Sequence, residues 1–288
     1  MVQLCIDIGG TKTAFGLLNK DGVLVWSDRM PTRKHVIGLR DMLKEILSMS
    51  PEPICPVIGM AVPGKLLGPR YDVAPGTGVQ LGDLEGLSLL DIFMPVVPSW
   101  FSLFLINDAL AQFAGGVVQL GLDRFKNKKV VYLGPGTGLG GGVAWVSPTG
   151  TIAFHTDGHF FDVMVPDEKS GGLVMAEDVL SGRGIMARGG VDIALLKRVF
   201  VSVILQIHAG KFKKAKDQWP DADCAYVKDI TEFVIGGSVG TKLEGLFEAV
   251  SKALPDFIHL HRIPDSDVAA LIGLGFLMNQ DASLRCDN

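Results

Sequence analysis

The sequence has few cysteines and no grouping of them that builds a site. Cys5, Cys55, Cys224 and Cys286 are scattered through 288 residues and form no C-x-x-C pair. That spacing argues against a disulfide framework and against a zinc centre. Cys5 falls inside an apolar stretch and reads as a small core residue. Long hydrophobic runs are also missing. The longest greasy stretch, residues 96–106, contains Pro98 and two serines and is too short to span a bilayer. No basic segment followed by an apolar run opens the chain, so a secretory signal is not expected and a cytoplasmic location is. Positive charge is not in excess: 27 Lys and Arg against 31 Asp and Glu give a net charge of -4. Nucleic acid and acidic membrane both ask for a basic surface, so neither is an expected partner. A local cluster of Lys211, Lys213, Lys214 and Lys216 reads as a solvated helix face. A P-loop of the form G-x-x-x-x-G-K-[ST] does not occur. The glycine turns are followed by strand-like rather than helix-like sequence, which excludes a dinucleotide fingerprint.

What is present fits a globular protein of one large or two medium domains. Apolar residues make up 48% of the chain, enough for a sizeable core. Residues 2–8 are apolar and stop at Gly9 and Gly10. Residues 12–18 resume the pattern, a turn signal follows at 19–22, and residues 23–27 read as a third strand. Leu39, Leu43, Ile46 and Leu47 have helical spacing. Residues 57–62 read as another strand and 101–106 as a buried one that ends at Asn107 and Asp108, with a helix expected from Ala109. The strand–turn–strand–turn–strand order returns at residues 130–154, around the glycine-rich turn 134–142. Thr11 with Thr137 and Gly16 with Gly142 lie at one common offset, which points to two related lobes. Helices are expected from Ala176, over 191–210, around Leu243, Leu246, Phe247 and Val250, and over 267–278, with a short strand at 233–235. Strands mixed with helices make this an α/β protein.

Three places carry chemistry. In the turn Asp7, Ile8, Gly9, Gly10, Thr11, Lys12, glycine lets the backbone approach a ligand. Successive amides there can form an anion-sized nest. Asp7 could hold Mg²⁺ through water, although a plain hairpin explains the same letters. Gly136, Thr137 and Gly138 form a second such turn, and two nests could grip one polyphosphate as phosphoryl transfer requires. Asp108 could take a proton from an attacking hydroxyl and Asn107 could bind a polyol. The plainer explanation of Asp108 is a helix N-cap. His159 and Glu177 are, taken singly, explained as a structural donor and as a first-turn acid favoured by the helix dipole.

Taken in order, these pieces resemble the ROK (repressor, open reading frame, kinase) family and the related bacterial glucokinases. The segments that carry the resemblance are DIGGTKTAFGLL at 7–18, GMAVPG at 59–64, LINDALAQFAGG at 105–116, LGPGTGLGGGV at 133–143, DGHFFDVMVP at 157–166, AEDVLSGRGI at 176–185 and FVIGGSVG at 233–240. The resemblance implies a two-lobed actin-like ATPase (ribonuclease H-like) fold. Residues 1–108 would form a small lobe completed by a C-terminal helix at about 267–288, and residues 109–266 a large lobe. It implies an ATP- and Mg²⁺-dependent kinase of carbohydrate metabolism, acting on a hexose with glucose as the first candidate. Asp108 would be the base, with Asn107, His159, Glu177, Asp157 and Gly64 on the sugar. Gly9 to Lys12 and Gly136 to Gly138 would hold phosphate, and Gly236 and Gly237 the adenosine. A homodimer is implied as well. The family's cysteine-rich zinc motif has no counterpart, so no structural zinc is expected. Thr156 stands where the family has a Glu, with Asp157 beside it, which opens N-acetylmannosamine as another acceptor and a non-catalytic sugar-binding regulator as another role. The repressors' N-terminal DNA-binding motif is not expected.

Overall fold

The computed structural model describes all residues except 51–53, 68–70, 74–83, 157–159, 168–170, 213–220 and 282–288. Three of the four residues of the basic cluster, Lys213, Lys214 and Lys216, lie outside the described residues, as does Cys286. The chain divides into two compact units, Met1–Val118 with Asp267–Asn288, and Gln119–Ser266.

The first unit opens with β1 (Val2–Ile8), β2 (Lys12–Leu18) and β3 (Leu24–Pro31), followed by α1 (Val36–Met49) and β4 (Ile54–Val62). A small hairpin, β5 (Leu66–Leu67) with β6 (Asp72–Val73), precedes α2 (Leu89–Phe93), β7 (Ser102–Asn107) and α3 (Asp108–Leu120). The division between units falls at the end of α3 rather than at Asp108. The main sheet has the order β3-β2-β1-β4-β7. The first three strands are antiparallel, and β1, β4 and β7 run parallel. β7 is thus an edge strand, and only Leu105 in it is fully buried, which corrects the expectation of a buried strand there.

Alternation along β1 decides which side chains meet. Leu4, Ile6 and Ile8 face one core with Leu39, Leu43 and Ile46 of α1. Cys5 points the other way, into a second core with Ala111 of α3. Asp7 shares the parity of Cys5 and so faces the α3 side.

The second unit starts with β8 (Lys128–Pro135), β9 (Leu139–Val146) and β10 (Ile152–Thr156). The hairpin of β11 (Met164–Asp167) and β12 (Gly172–Met175) follows, a pair the sequence did not disclose. Then come α4 (Glu177–Leu180), α5 (Gly182–Ala187), α6 (Ile193–His208), α7 (Asp221–Val227) and β13 (Glu232–Ile235). The unit closes with α8 (Gly237–Lys242), α9 (Leu246–Ser251) and β14 (His259–Arg262). The last helix, α10 (Ala269–Gln280), belongs to the first unit.

The sheet of the second unit has the order β10-β9-β8-β13-β14. That is the strand order and polarity of the first sheet repeated, with β8, β13 and β14 parallel. The duplicated Gly-Thr pattern therefore has a duplicated sheet behind it. Two local expectations need correction. The glycine-rich turn is shorter than 134–142, because β9 begins at Leu139 and takes Gly140 to Gly142 into the ladder. The helix around Leu243 is two helices, broken where Gly245 takes φ 74, a left-handed conformation suited to glycine.

One buried charge network lies on the sheet of this unit. Glu232 on β13 accepts from Lys128 Nζ at 2.6 Å and pairs with His261 Nε2 at 2.7 Å. Burial alone would raise the Glu232 carboxyl, but these two partners bring it down to about 2. A depressed carboxyl contributes stability above its unfolded value near 4.5, and this contribution fades as pH falls toward 2. Glu232→Ala is expected to cost about 2–3 kcal/mol in urea unfolding at neutral pH. It strips a buried partner from two donors, discounted because Lys128 is partly exposed.

Candidate functional site

In each unit the candidate residues gather at the carboxyl ends of the parallel strands, where open α/β sheets leave a crevice. In the first unit, Asp7 is level with Ala61 of β4, and Ala61 with Ile106 of β7. The chain leaves β1 into the turn 9–11, leaves β4 into Pro63 and Gly64, and leaves β7 directly into α3. Gly64 adopts φ 99, where a side chain would be strained.

Asn107 joins these exits. Its Nδ2 donates to the Gly64 carbonyl at 2.8 Å, and its Oδ1 accepts from the backbone N–H of Ala109 at 2.9 Å and of Leu110 at 3.3 Å. Asn107 is therefore the residue that caps α3. The cap reading of Asp108 shifts by one residue. Asp108 is the first helical residue, and its Oδ1 also accepts from Ala109 N–H, at 2.8 Å. With Oδ1 committed to the helix and Nδ2 to the Gly64 carbonyl and the Asp108 carboxyl, Asn107 ties the exit of β4 to the start of α3.

Asp7 and Asp108 form a coupled pair. Burial pushes the Asp108 carboxyl up to about 6, against hydrogen bonds from Ala109 and Asn107 that pull the other way. Burial pushes Asp7 up to about 7, and the negative charge of Asp108 adds to it. The charge of one carboxylate opposes ionisation of the other, so the pair releases its two protons in coupled steps. Both values are raised above the ordinary 3.8, so the folded state binds these protons more tightly than the unfolded chain. Their contribution to stability is full below 3.8 and is lost as pH rises through about 6 and about 7. Storing two carboxylates this way is a cost that structural residues rarely carry. Thr11 and Lys12 are exposed at the adjoining turn.

In the second unit, the turn 136–138 follows β8, and the segment 236–237 follows β13. Gly236 N–H donates to the Leu133 carbonyl, and Gly182 N–H at the start of α5 donates to the Gly136 carbonyl at 2.7 Å. A Cβ on Gly237 would lie 2.2 Å from the Pro135 carbonyl oxygen. The two glycine segments thus touch backbone to backbone. Glu177 reaches the same place, its Oε1 accepting from Leu139 N–H at 3.2 Å and from Arg183 at 3.1 Å. So Gly136, Thr137, Gly138, Glu177, Gly236 and Gly237 are brought together. Asp157 and His159 lie outside the described residues, as does the side chain of Thr156. The stretch after them forms the β11–β12 hairpin, where Arg188 pairs with buried Asp167 at 2.9 Å.

Two residues here escaped sequence reasoning. Arg183 was only a letter inside AEDVLSGRGI. Tyr132 is fully buried beneath the glycines: a Cβ on Gly134 would lie 2.3 Å, and one on Gly236 2.5 Å, from its hydroxyl. A large aromatic next to unavoidable glycines was the available signal, but nothing local ties residue 132 to residue 236.

Among the described residues no group of three or more His, Cys, Asp or Glu side chains is placed to hold a metal ion, and no helix is long and apolar enough to cross a membrane.

The ROK family model matches residues 3–147. No curated protein matches the sequence. Among solved structures, the chain is similar to a ROK family protein from Streptococcus pneumoniae TIGR4 in complex with sucrose, at 18% identity and a TM-score of 0.69 over 97% of this chain and 99% of that one. It is similar to a ROK family glucokinase from Streptomyces griseus in complex with glucose and AMPPNP, at 20% identity and a TM-score of 0.67 over 98% and 100%. It is also similar to a ROK family transcriptional regulator, a homologue of the E. coli MLC protein, at 12% identity and a TM-score of 0.58 over 97% and 80%. The fold is the two-domain actin-like ATPase fold of these proteins.

Proposed function

The chain belongs to the ROK family, and from that premise we propose that it is a cytoplasmic, ATP-dependent hexose kinase with Asp108 as general base and glucose as the first candidate acceptor. The observation that carries the reading is the half-buried Asp7–Asp108 pair at the carboxyl ends of β1 and β7, beside a glycine turn. A carboxyl held near 6 is ionised at neutral pH yet basic enough to accept a proton.

In this reading a sugar hydroxyl lies against Asp108, with Asn107 beside it on the sugar and holding the Asp108 carboxyl in place. Its oxygen bonds to the γ-phosphorus as the bond from that phosphorus to the bridging oxygen of ADP breaks, and its proton passes to the Asp108 carboxylate. Glu177, with Asp157, His159 and Gly64, serves the other hydroxyls. Within the turns 9–12 and 136–138, Gly9 and Gly136 spend their N–H groups closing the turn, and the amides of 10–12 and 137–138 offset charge on the phosphate oxygens, while 236–237 meets the adenosine. A pair of hard carboxylate oxygens suits Mg²⁺, which Asp7 would hold through water. When bound, the ion supplies positive charge against the phosphates.

The reading sets the pH dependence. Only the ionised carboxylate accepts a proton, so kcat/KM for sugar phosphorylation is expected to fall about tenfold per unit below pH 6. A profile flat down to pH 4.5 would remove Asp108 from the base role.

A coupled ADP-release assay over glucose, fructose, mannose, N-acetylmannosamine and N-acetylglucosamine tests the activity and identifies the acceptor. The second reading is a non-catalytic sugar-binding regulator, and one structure of this fold is named a transcriptional regulator. It is favoured by Thr156 in place of the family Glu, and it predicts sugar binding with no ADP release on any acceptor. The retained Asp108 and both glycine turns favour the kinase.

A further inference from the structure

The turn 9–12 can bind phosphate only if its carbonyl oxygens face away, because each is a partial negative charge close to the anion. All three for which partners are described are tied back. Gly9 N–H holds the Lys12 carbonyl at 3.0 Å, which occupies the space where a Cβ on residue 9 would lie. The other two are held by one residue. Thr32, the first residue after β3, donates its backbone N–H to the Thr11 carbonyl at 3.1 Å and its hydroxyl to the Gly9 carbonyl at 2.7 Å. Thr32 Oγ1 also lies 3.0 Å from Thr13 Oγ1. Because the one hydroxyl proton of Thr32 goes to Gly9, Thr13 must donate in this second bond. Thr13 is fully buried on β2, so the relay is anchored in the sheet.

We propose that Thr32 is the positioning residue of the first phosphate turn, turning the Gly9 and Thr11 carbonyls inward so that the amides meet the terminal phosphates of ATP. This rests on the kinase reading above and adds to it a residue that touches no ligand. Removing the hydroxyl frees the Gly9 carbonyl to rotate toward the anion while leaving the backbone bond to Thr11 in place. The defect should therefore be confined to ligands with terminal phosphates.

The test is calorimetric titration of the full chain with AMPPNP, AMP and glucose, with steady-state kinetics alongside. In Thr32→Val the Kd for AMPPNP and the KM for ATP are expected to rise about tenfold, while AMP and sugar affinities stay within twofold. Thr32→Ser, which keeps the hydroxyl, should restore wild-type values. Unchanged AMPPNP binding in Thr32→Val overturns the proposal. So does equal weakening of AMP and glucose, or failure of serine to rescue, since each is what a merely structural threonine gives. Wild-type protein that binds neither AMPPNP nor AMP would remove the kinase reading itself, and this inference with it.

Discussion

Asp108→Asn is expected to lower sugar phosphorylation by at least about a thousandfold while leaving sugar affinity within a few fold. A positioned general base contributes roughly 10²–10⁴ in rate, and an amide has no lone pair basic enough to replace it. The substitution is conservative where the fold is concerned. An asparagine oxygen can still accept from the Ala109 N–H that Asp108 holds at 2.8 Å, and Asn107 continues to cap the helix. The same variant should be more stable than wild type at pH 8. There the folded wild type keeps two half-buried carboxylates ionised, whereas the variant keeps one, which no longer faces the charge of the other. Activity lost together with unfolding temperature gained is the signature of a functional carboxylate. Turnover near wild type, or a drop in stability at pH 8, would contradict this account of the pair.

The second large effect is on folding. Gly115 of α3 and Gly273 of α10 lie where the two helices touch backbone to backbone. A Cβ on Gly115 would stand 1.7 Å from the Ala269 carbonyl oxygen, and one on Gly273 would stand 1.9 Å from that of Ala111. Neither obstacle is the end of a flexible side chain, so the helices must separate to admit a methyl. Overpacking costs about 1–3 kcal/mol in ordinary cores. A clash with main chain belongs at the upper end, well above the roughly 1 kcal/mol that alanine gains in helix propensity. Gly115→Ala is thus expected to destabilise the protein by about 2 kcal/mol net, measured by urea unfolding. Activity should fall as well, because α3 carries Asp108 at its first residue. An unchanged unfolding midpoint would mean that the two helices do not meet as described.

How much of this was legible beforehand varies residue by residue. β1 and β2 occupy the residues that the apolar pattern marked, and α1 sits where helical spacing put it, because these are local signals of period 2 and 3.6. The ordered set of glycine turns and polar exits pointed to the family. The β11–β12 hairpin was not readable: four residues on each side, one of them a proline, carry too little periodicity. The break at Gly245 was missed because Leu243, Leu246, Phe247 and Val250 keep helical spacing across it. Thr32 gave no signal at all. It lies more than twenty positions from Gly9, and only the pairing of β3 with β2 and of β2 with β1 brings it there.

The sequence by itself determined the strand-and-turn plan, its repetition, and the residue types at the strand exits, since each depends on neighbours along the chain. Tertiary structure decided what those residues are chemically. Asp7 and Asp108 are ordinary carboxylates in the unfolded chain. They become a high-pKa pair only when parallel pairing through β4 and the alternation of β1 draw them part-way out of water on one face. Acidity depends on solvent and on nearby charge, and both are properties of position in space.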